Sequence, residues 1–219
     1  MSTVLIDSIK TASMITDKVL VSFSGGKDSV AVLNLCKKYF KEVQPFFMYY
    51  VKGLSFQEKL LQYYEKVLNI KIIRIPHFEL SQFMRYGTFR QYDLNIPIIT
   101  VKETYDYVRE LTGIYWIAGG ERIDDSIVRR AMIKNSGSID EKRGRFFPVA
   151  YWNKKEVLKY VKHNKLKVSG ESEKLGFSFR SLNSKDLIKI KKFYPNDYKK
   201  IKEWFPFAEA SVKQGELYE

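Results

Sequence analysis

Eight consecutive residues, Ser22-Phe23-Ser24-Gly25-Gly26-Lys27-Asp28-Ser29, carry the densest chemistry in the chain. They follow the apolar run Val19-Leu20-Val21 and precede Val30-Ala31-Val32-Leu33-Asn34-Leu35, which reads as a helix. A strand that turns through glycines into a helix aims backbone N–H groups and a positive helix end at an anion, usually phosphate. Adjacent Gly25 and Gly26 let the backbone approach a ligand closely and adopt positive φ. Ser24 and Ser29 add hydroxyl donors and Lys27 adds a cation. Asp28 puts a carboxylate beside the phosphate position, which points to a divalent cation, magnesium, at Asp28. The spacing is neither a Walker loop nor a Gly-x-Gly-x-x-Gly dinucleotide loop. The simpler alternative is a Gly-Gly turn before a capped helix, with Asp28 or Ser29 near the cap.

A second cluster, Gly119-Gly120-Glu121-Arg122-Ile123-Asp124-Asp125-Ser126-Ile127-Val128-Arg129-Arg130-Ala131, follows another short apolar run. Arg122 is a planar fork suited to phosphate or sulfate oxygens. Ser126 and Arg129 are spaced for one face of a helical turn. Arg122 and Arg129 converge on one anion if a helix begins between them. The competing reading is a surface helix of paired charges, with Asp124 and Asp125 beside Arg129 and Arg130.

These two clusters need a scaffold that brings both to one edge. Strands are expected at 18–23, 45–51, 71–75, 115–118 and 146–149. Helices are expected at 3–14, 28–40, 55–68, 100–111, 124–134 and 153–164. Thr100 with Glu103 has the form of a capping box, and Asn153 that of a cap. The polar segment 135–145 reads as a mobile loop. Alternating strands and helices imply an α/β fold, a parallel sheet with helices on both faces. Ligands then sit at the carboxyl ends of the strands, where the loops after Phe23, Val51, Ala118 and Val149 lie. Beyond Ser169 the pattern shifts to short helices, about 184–192 and 195–204. The expected division is therefore an α/β domain over 1–168 and a basic helical C-terminal extension over 169–219 packed on it.

Composition bounds the class. The chain has 219 residues, 45% hydrophobic and 15% aromatic, enough to fill a core. No run is long and apolar enough to cross a membrane, and the amino terminus lacks the pattern of a signal peptide. A single cysteine excludes an internal disulfide and makes a reducing cytoplasm the expected location. Net charge is +13, with 20 Lys/Arg against 11 Asp/Glu over residues 134–219. Such a basic part suits nucleic acid or another polyanion, or is ordinary solvated lysine. Cys36 lies on the expected helix after the loop, on its apolar face with Val32 and Leu33, as a buried small hydrophobe rather than a nucleophile. Two histidines, His77 and His163, are too few and too separated for zinc.

Ser-Gly-Gly-Lys-Asp-Ser resembles the PP-loop of the adenine nucleotide α-hydrolase superfamily. The pattern Gly120-x-Arg122-x-x-x-Ser126-x-x-Arg129, followed by Pro148-x-x-x-Trp152, is similar to the phosphoadenosine phosphosulfate (PAPS) reductase-like branch, in the compact form met in phages and mobile elements. A phage origin would place the protein in the host cytoplasm. The resemblance implies a Rossmann-like (HUP-type) fold. It implies that Ser24, Gly25, Gly26, Lys27, Asp28 and Ser29 hold the pyrophosphate or phosphosulfate end of ATP or PAPS. Backbone near Phe23 and Met48 would face the adenine, and Gly120, Arg122, Ser126 and Arg129 would frame the terminal phosphates or sulfate. Lys27, Asp28, Arg122 and Arg129 are the expected catalytic residues.

The chain departs from the family at its end. PAPS reductases carry Glu-Cys-Gly-Leu-His there; this chain ends Gln214-Gly215-Glu216-Leu217-Tyr218-Glu219. One thiol also argues against an iron–sulfur cluster, so the expected cofactors are ATP or PAPS with magnesium, without cluster or zinc. Three functions follow. The first is ATP pyrophosphatase or adenylylating chemistry, with sulfur from a partner protein or small molecule. The second is PAPS reduction with an external thiol. The third is a non-enzymatic nucleotide-binding subunit of a nucleic-acid modification or regulatory system.

Overall fold

The computed structural model describes residues 7–168 and 182–216. The expectations for residues 3–6, 169–181 and 217–219 lie outside the described residues.

The first half alternates helix and strand: α1 (Asp7–Ile15), β1 (Lys18–Ser22), α2 (Lys27–Tyr39), β2 (Glu42–Tyr49), α3 (Ser55–Leu68), β3 (Ile73–Pro76), α4 (Phe78–Tyr86) and α5 (Val101–Thr112). The second continues with β4 (Ile117–Ala118), α6 (Ile127–Ser136), β5 (Ile139–Asp140), β6 (Arg145–Phe146), α7 (Lys154–His163), α8 (Ser184–Phe193), α9 (Pro195–Trp204) and α10 (Ala208–Glu216). The strands form a six-stranded sheet in the order β3-β2-β1-β4-β6-β5. β1 runs parallel to β2, from Lys18↔Glu42 to Ser22↔Phe46, and to β4 through Leu20↔Ile117 and Val21↔Ala118. β4 is parallel to β6. The fold is the expected Rossmann-like α/β sheet. Strand order reverses between β1 and β4, the crevice where such sheets take their ligands.

Several expectations are corrected. The sheet is not wholly parallel: β5 pairs antiparallel with β6. Residues 135–145 are not a bare loop. They hold β5 and a 3₁₀ turn, Glu141–Arg143, in which the carboxylate of buried Asp140 accepts the Arg143 N–H (3.1 Å). Helices α4 and α10 have no counterpart in the sequence-based expectations. The helix expected from Asp124 starts at Ile127, because the Ser126 hydroxyl caps it by accepting the Arg129 N–H (3.2 Å). The two expected caps are present: Thr100 and Glu103 bond reciprocally, as do Asn153 and Glu156.

The chain divides into two compact units. One takes Met1–Phe47, Tyr64–Arg74 and Val108–Val168; the other takes Met48–Tyr63, Ile75–Tyr107 and Ser169–Glu219. In the first, Val19, Leu20 and Val21 of β1 are all buried, as a strand covered on both faces requires. Val30, Ala31, Val32, Leu33, Leu35 and Cys36 of α2 are buried with it, so this helix is nearly enclosed. The second unit has its own core, in which Leu54, Phe56 and Leu80 join Leu187, Ile190, Ile201, Phe205 and Val212. Buried Asp197 of α9 accepts from the Ser55 N–H (2.9 Å) and hydroxyl (2.6 Å), closing the start of α3. No helix among the described residues is long and apolar enough to cross a membrane.

His77 is half-buried and stacks on Tyr50 of this second core. Its ring stacks between Tyr50 (4.5 Å) and Phe78 (4.4 Å), and Nδ1 accepts the Glu79 N–H (3.3 Å) as the cap of α4. Burial lowers its pKa; the Glu79 carboxylate opposes this more weakly. The folded state therefore binds fewer protons than the unfolded chain. Its contribution is present above the unfolded value, about 6.5, and is lost as pH falls through the lower folded value. Protonation also removes the Nδ1 acceptor. Thermal melts should show the wild type losing more stability between pH 7.5 and pH 5 than His77→Asn, which keeps a capping oxygen. Equal losses would exclude His77 as the source.

Candidate functional site

The site is built where β1 and β4 end side by side in the first unit. The Phe23 N–H extends the ladder to the Phe46 carbonyl (2.9 Å), and its buried ring packs edge-to-face on Tyr64 (5.3 Å). The chain then turns at Gly25, whose φ of +76° lies in the left-handed region that glycine alone adopts freely. Gly26 is extended and stands as the cap of α2, with no side-chain cap. The amides of Lys27, Asp28 and Ser29 thus form a first turn, where amides have no intrahelical acceptors. Ser29 is buried and ties the loop: its hydroxyl accepts from the Ser24 N–H (3.2 Å) and hydroxyl (3.1 Å) and donates to the Gly26 carbonyl (3.0 Å).

Gly120 brings the second cluster against this turn. A Cβ at Gly120 would lie 3.1 Å from the Ser29 nitrogen and 3.3 Å from the Asp28 carbonyl carbon. Neither is a flexible side chain, so the glycine is what permits the approach. Beside it, Glu121 curls over Gly119 and is held by Arg145 (2.6 Å), whose guanidinium lies 5.0 Å from the Phe147 ring.

Arg122 is 5% exposed. Its three nitrogens face three chain segments: Nε lies 2.9 Å from Asp28 Oδ1, one terminal nitrogen donates to the Trp152 carbonyl (3.1 Å), and the other to Asp125 Oδ1 (2.7 Å). The Arg122–Asp28 contact is an ion pair without hydrogen-bond alignment, so Asp28 Oδ1 and Arg122 Nε both stay short of a partner in a buried place. Asp28 Oδ2 accepts from Lys27 Nζ. Asp125 Oδ2 accepts from the Arg122 N–H (3.0 Å) and from Arg129 (3.1 Å). Five side chains thus alternate in sign, Lys27–Asp28–Arg122–Asp125–Arg129, with a cation at each end.

Loop residues 24–29 and Gly120, Arg122, Ser126 and Arg129 therefore come together. Ser126 does so as a helix cap. Met48 lies half-buried on β2, just past Phe47, where the second unit begins. His77 caps α4, and His163 ends α7. The residues unforeseen in the sequence are Asp125, as the bridge between both arginines, and Trp152, through its carbonyl. Trp152 itself is buried against Tyr160 (5.2 Å). The carboxylate three residues after Arg122 was the available signal for Asp125.

A strand, a glycine turn and an open helix start at the switch point, with an arginine-bearing helix beside it, make an anion-binding site on an α/β sheet. Residues 18–170 match the phosphoadenosine phosphosulfate reductase domain, and the chain belongs to that family. A search of curated proteins found no match. Among solved structures, a phosphoadenylyl-sulfate (PAPS) reductase from Candida auris, in a phosphate complex, has TM-score 0.54 and 14% identity over 81% of this chain and 86% of its own. The U34-tRNA thiolase NcsA from Methanococcus maripaludis, with its [4Fe-4S] cluster, has TM-score 0.51 and 16% identity over 94% and 79%. At these identities the likeness is one of fold.

The cofactor expectation is corrected on two points. NcsA carries an iron–sulfur cluster on this fold, so freedom from a cluster is withdrawn as an expectation for this chain. Magnesium at Asp28 does not suit the residues present. Each oxygen of that carboxylate already faces a cation, Lys27 or Arg122, and an added cation there would meet two like charges. Among the described residues no three His, Cys, Asp or Glu side chains are grouped to hold a metal ion. No step is assigned to a metal.

The burial of Arg122 sets a stability test. Removing one partner of a buried, paired charge costs about 3–5 kcal/mol. Arg122→Ala should lose stability on that scale in chemical denaturation, whereas Arg129→Ala, at a position 43% exposed, should lose less than about 1 kcal/mol.

Proposed function

We propose that the protein binds an adenine nucleotide with its phosphate chain against the start of α2, and acts at the α-phosphate. The open first turn of α2 behind the Gly25–Gly26 turn carries this reading: its amides, the Lys27 ammonium and the helix dipole all favour an anion there. With ATP, an acceptor oxygen bonds to the α-phosphorus and the bond from that phosphorus to the bridging oxygen breaks. Pyrophosphate leaves with the electron pair, and the acceptor's proton passes to solvent. The α2 amides, Lys27 and Arg129 hold the phosphate chain and offset the charge that develops on it. The adenylated acceptor is then open to substitution by sulfur.

That sulfur comes from a second molecule. Cys36 is the chain's one cysteine and is fully buried. Burial pushes its thiol pKa far up, so it stays protonated and unreactive at neutral pH. Pyrophosphate and AMP release should be measured over a panel of acceptors. Lys27→Ala should lower the rate at least tenfold and Cys36→Ala should leave it unchanged. No release with any acceptor would refute the ATP reading. Calorimetric preference for 3′,5′-ADP over ATP would assign PAPS as the nucleotide, its sulfur attacked by the external thiol as the sulfur–oxygen bond breaks.

One observation favours a nucleic acid as the acceptor. The acidic residues of α8 and α9 include Asp186 and Asp197, both buried, while Lys185, Lys192 and Lys199 are exposed. Glu209 of α10 is taken by Lys191, Lys202 and Tyr198. The exposed surface of α8 and α9 thus carries these three lysines against one exposed acid, Glu203. RNA or DNA affinity should fall steeply with salt, and replacing Lys185, Lys192 and Lys199 by Ala together should reduce that slope; an unchanged slope would exclude this face.

A further inference from the structure

We infer that Asp125 is a positioning residue for the anion site: it sets the direction of the Arg129 guanidinium toward the phosphate chain. The inference rests on the nucleotide reading above. Asp125 sits in the turn between β4 and α6, and its carboxylate binds on two sides. Oδ1 accepts from the Arg122 guanidinium (2.7 Å); Oδ2 accepts from the Arg122 N–H (3.0 Å) and from one terminal nitrogen of Arg129 (3.1 Å). The Asp125 N–H closes the turn onto the Arg122 carbonyl (3.2 Å).

Arg122 is in turn locked to Asp28 and Trp152, so Asp125 is fixed by the buried part of the network. Arg129 is 43% exposed. An exposed arginine samples many rotamers, and holding one edge of its planar fork leaves the other edge presented in one direction. A ligand that meets a pre-set fork does not have to order it, which favours binding. Ser126 acts on the same arginine from the main chain, by capping its N–H.

Charge and geometry make opposite predictions for this residue. Asp125 is an anion beside an anion-binding site. If it acted only through its charge, Asp125→Asn would tighten nucleotide binding by removing a repulsion. If it acts by holding Arg129, the same substitution weakens binding, because an amide cannot accept from both arginines through both of its heavy atoms. Asp124→Asn is the matched control: the same change of charge at the neighbouring, exposed position.

The experiment is calorimetry with ATP and with adenosine on wild type, Asp125→Asn, Asp124→Asn, Arg129→Ala and the Asp125→Asn/Arg129→Ala double variant. Positioning predicts ATP affinity about tenfold weaker in Asp125→Asn, no weakening in Asp124→Asn, and a double variant no weaker than Arg129→Ala alone, as coupled residues require. Adenosine, lacking the phosphates, should bind all five alike. Tighter or unchanged ATP binding by Asp125→Asn overturns the inference, as do additive losses. A parallel fall in adenosine affinity overturns it in favour of a structural role. If Asp125→Asn does not fold, Arg129→Lys decides: equal ATP affinity to wild type overturns the need for an oriented fork, and a loss matching Arg129→Ala supports it. A wild type that binds neither ATP nor 3′,5′-ADP refutes the nucleotide reading itself, and this inference with it.

Discussion

One buried guanidinium organises the site. Taking a charge out of water costs several kcal/mol unless partners surround it. Arg122 is 5% exposed and meets that demand with two carboxylates and a carbonyl from three separate stretches of chain: Asp28 at the start of α2, Asp125 ahead of α6, and Trp152 ahead of α7. Each partner lies at or just ahead of the start of a helix. The starts of α2 and α6 are therefore tied together through Arg122, and Gly120 supplies the close approach to Asp28 and Ser29.

This arrangement separates two kinds of arginine that look alike in sequence. Arg122 is turned inward and its nitrogens face protein atoms, while Arg129 is bound on one edge and exposed on the other. The alternation of sign from Lys27 to Arg129 leaves cations at the two ends of the ladder. The fold alone says little about the chemistry done there, since one scaffold serves unrelated reactions. A reductase and a tRNA thiolase both share this one at about 15% identity. What discriminates is the local inventory: an open helix start, a glycine-opened turn, and a thiol buried out of reach.

Much of the scaffold was legible in the sequence, and the exceptions have physical causes. α3 and α9 match their expected spans because apolar spacing and a proline start mark them. α4 was hidden because its cap is a histidine, outside the usual Ser, Thr, Asp and Asn signals. β5 was hidden because two residues are too few for alternation to show, and they sit in a polar segment. The helix expected from Asp124 begins at Ile127 because Asp124 and Asp125 precede a serine that caps it directly, and Asp125 is drawn to the arginines instead.

The sequence by itself determined what is local: the strand-turn-helix at 18–39, the glycine that opens it, the caps at Thr100 and Asn153, and the membership that its motifs announce. These depend on neighbours a few residues apart, whose preferences act before any folding is complete. Only the tertiary structure decided which arginine is buried and which faces outward, and that Asp125 shares one network with the phosphate loop. Those outcomes depend on desolvation and on stretches distant in the chain, Asp28 and Trp152, meeting at Arg122, which no spacing rule encodes.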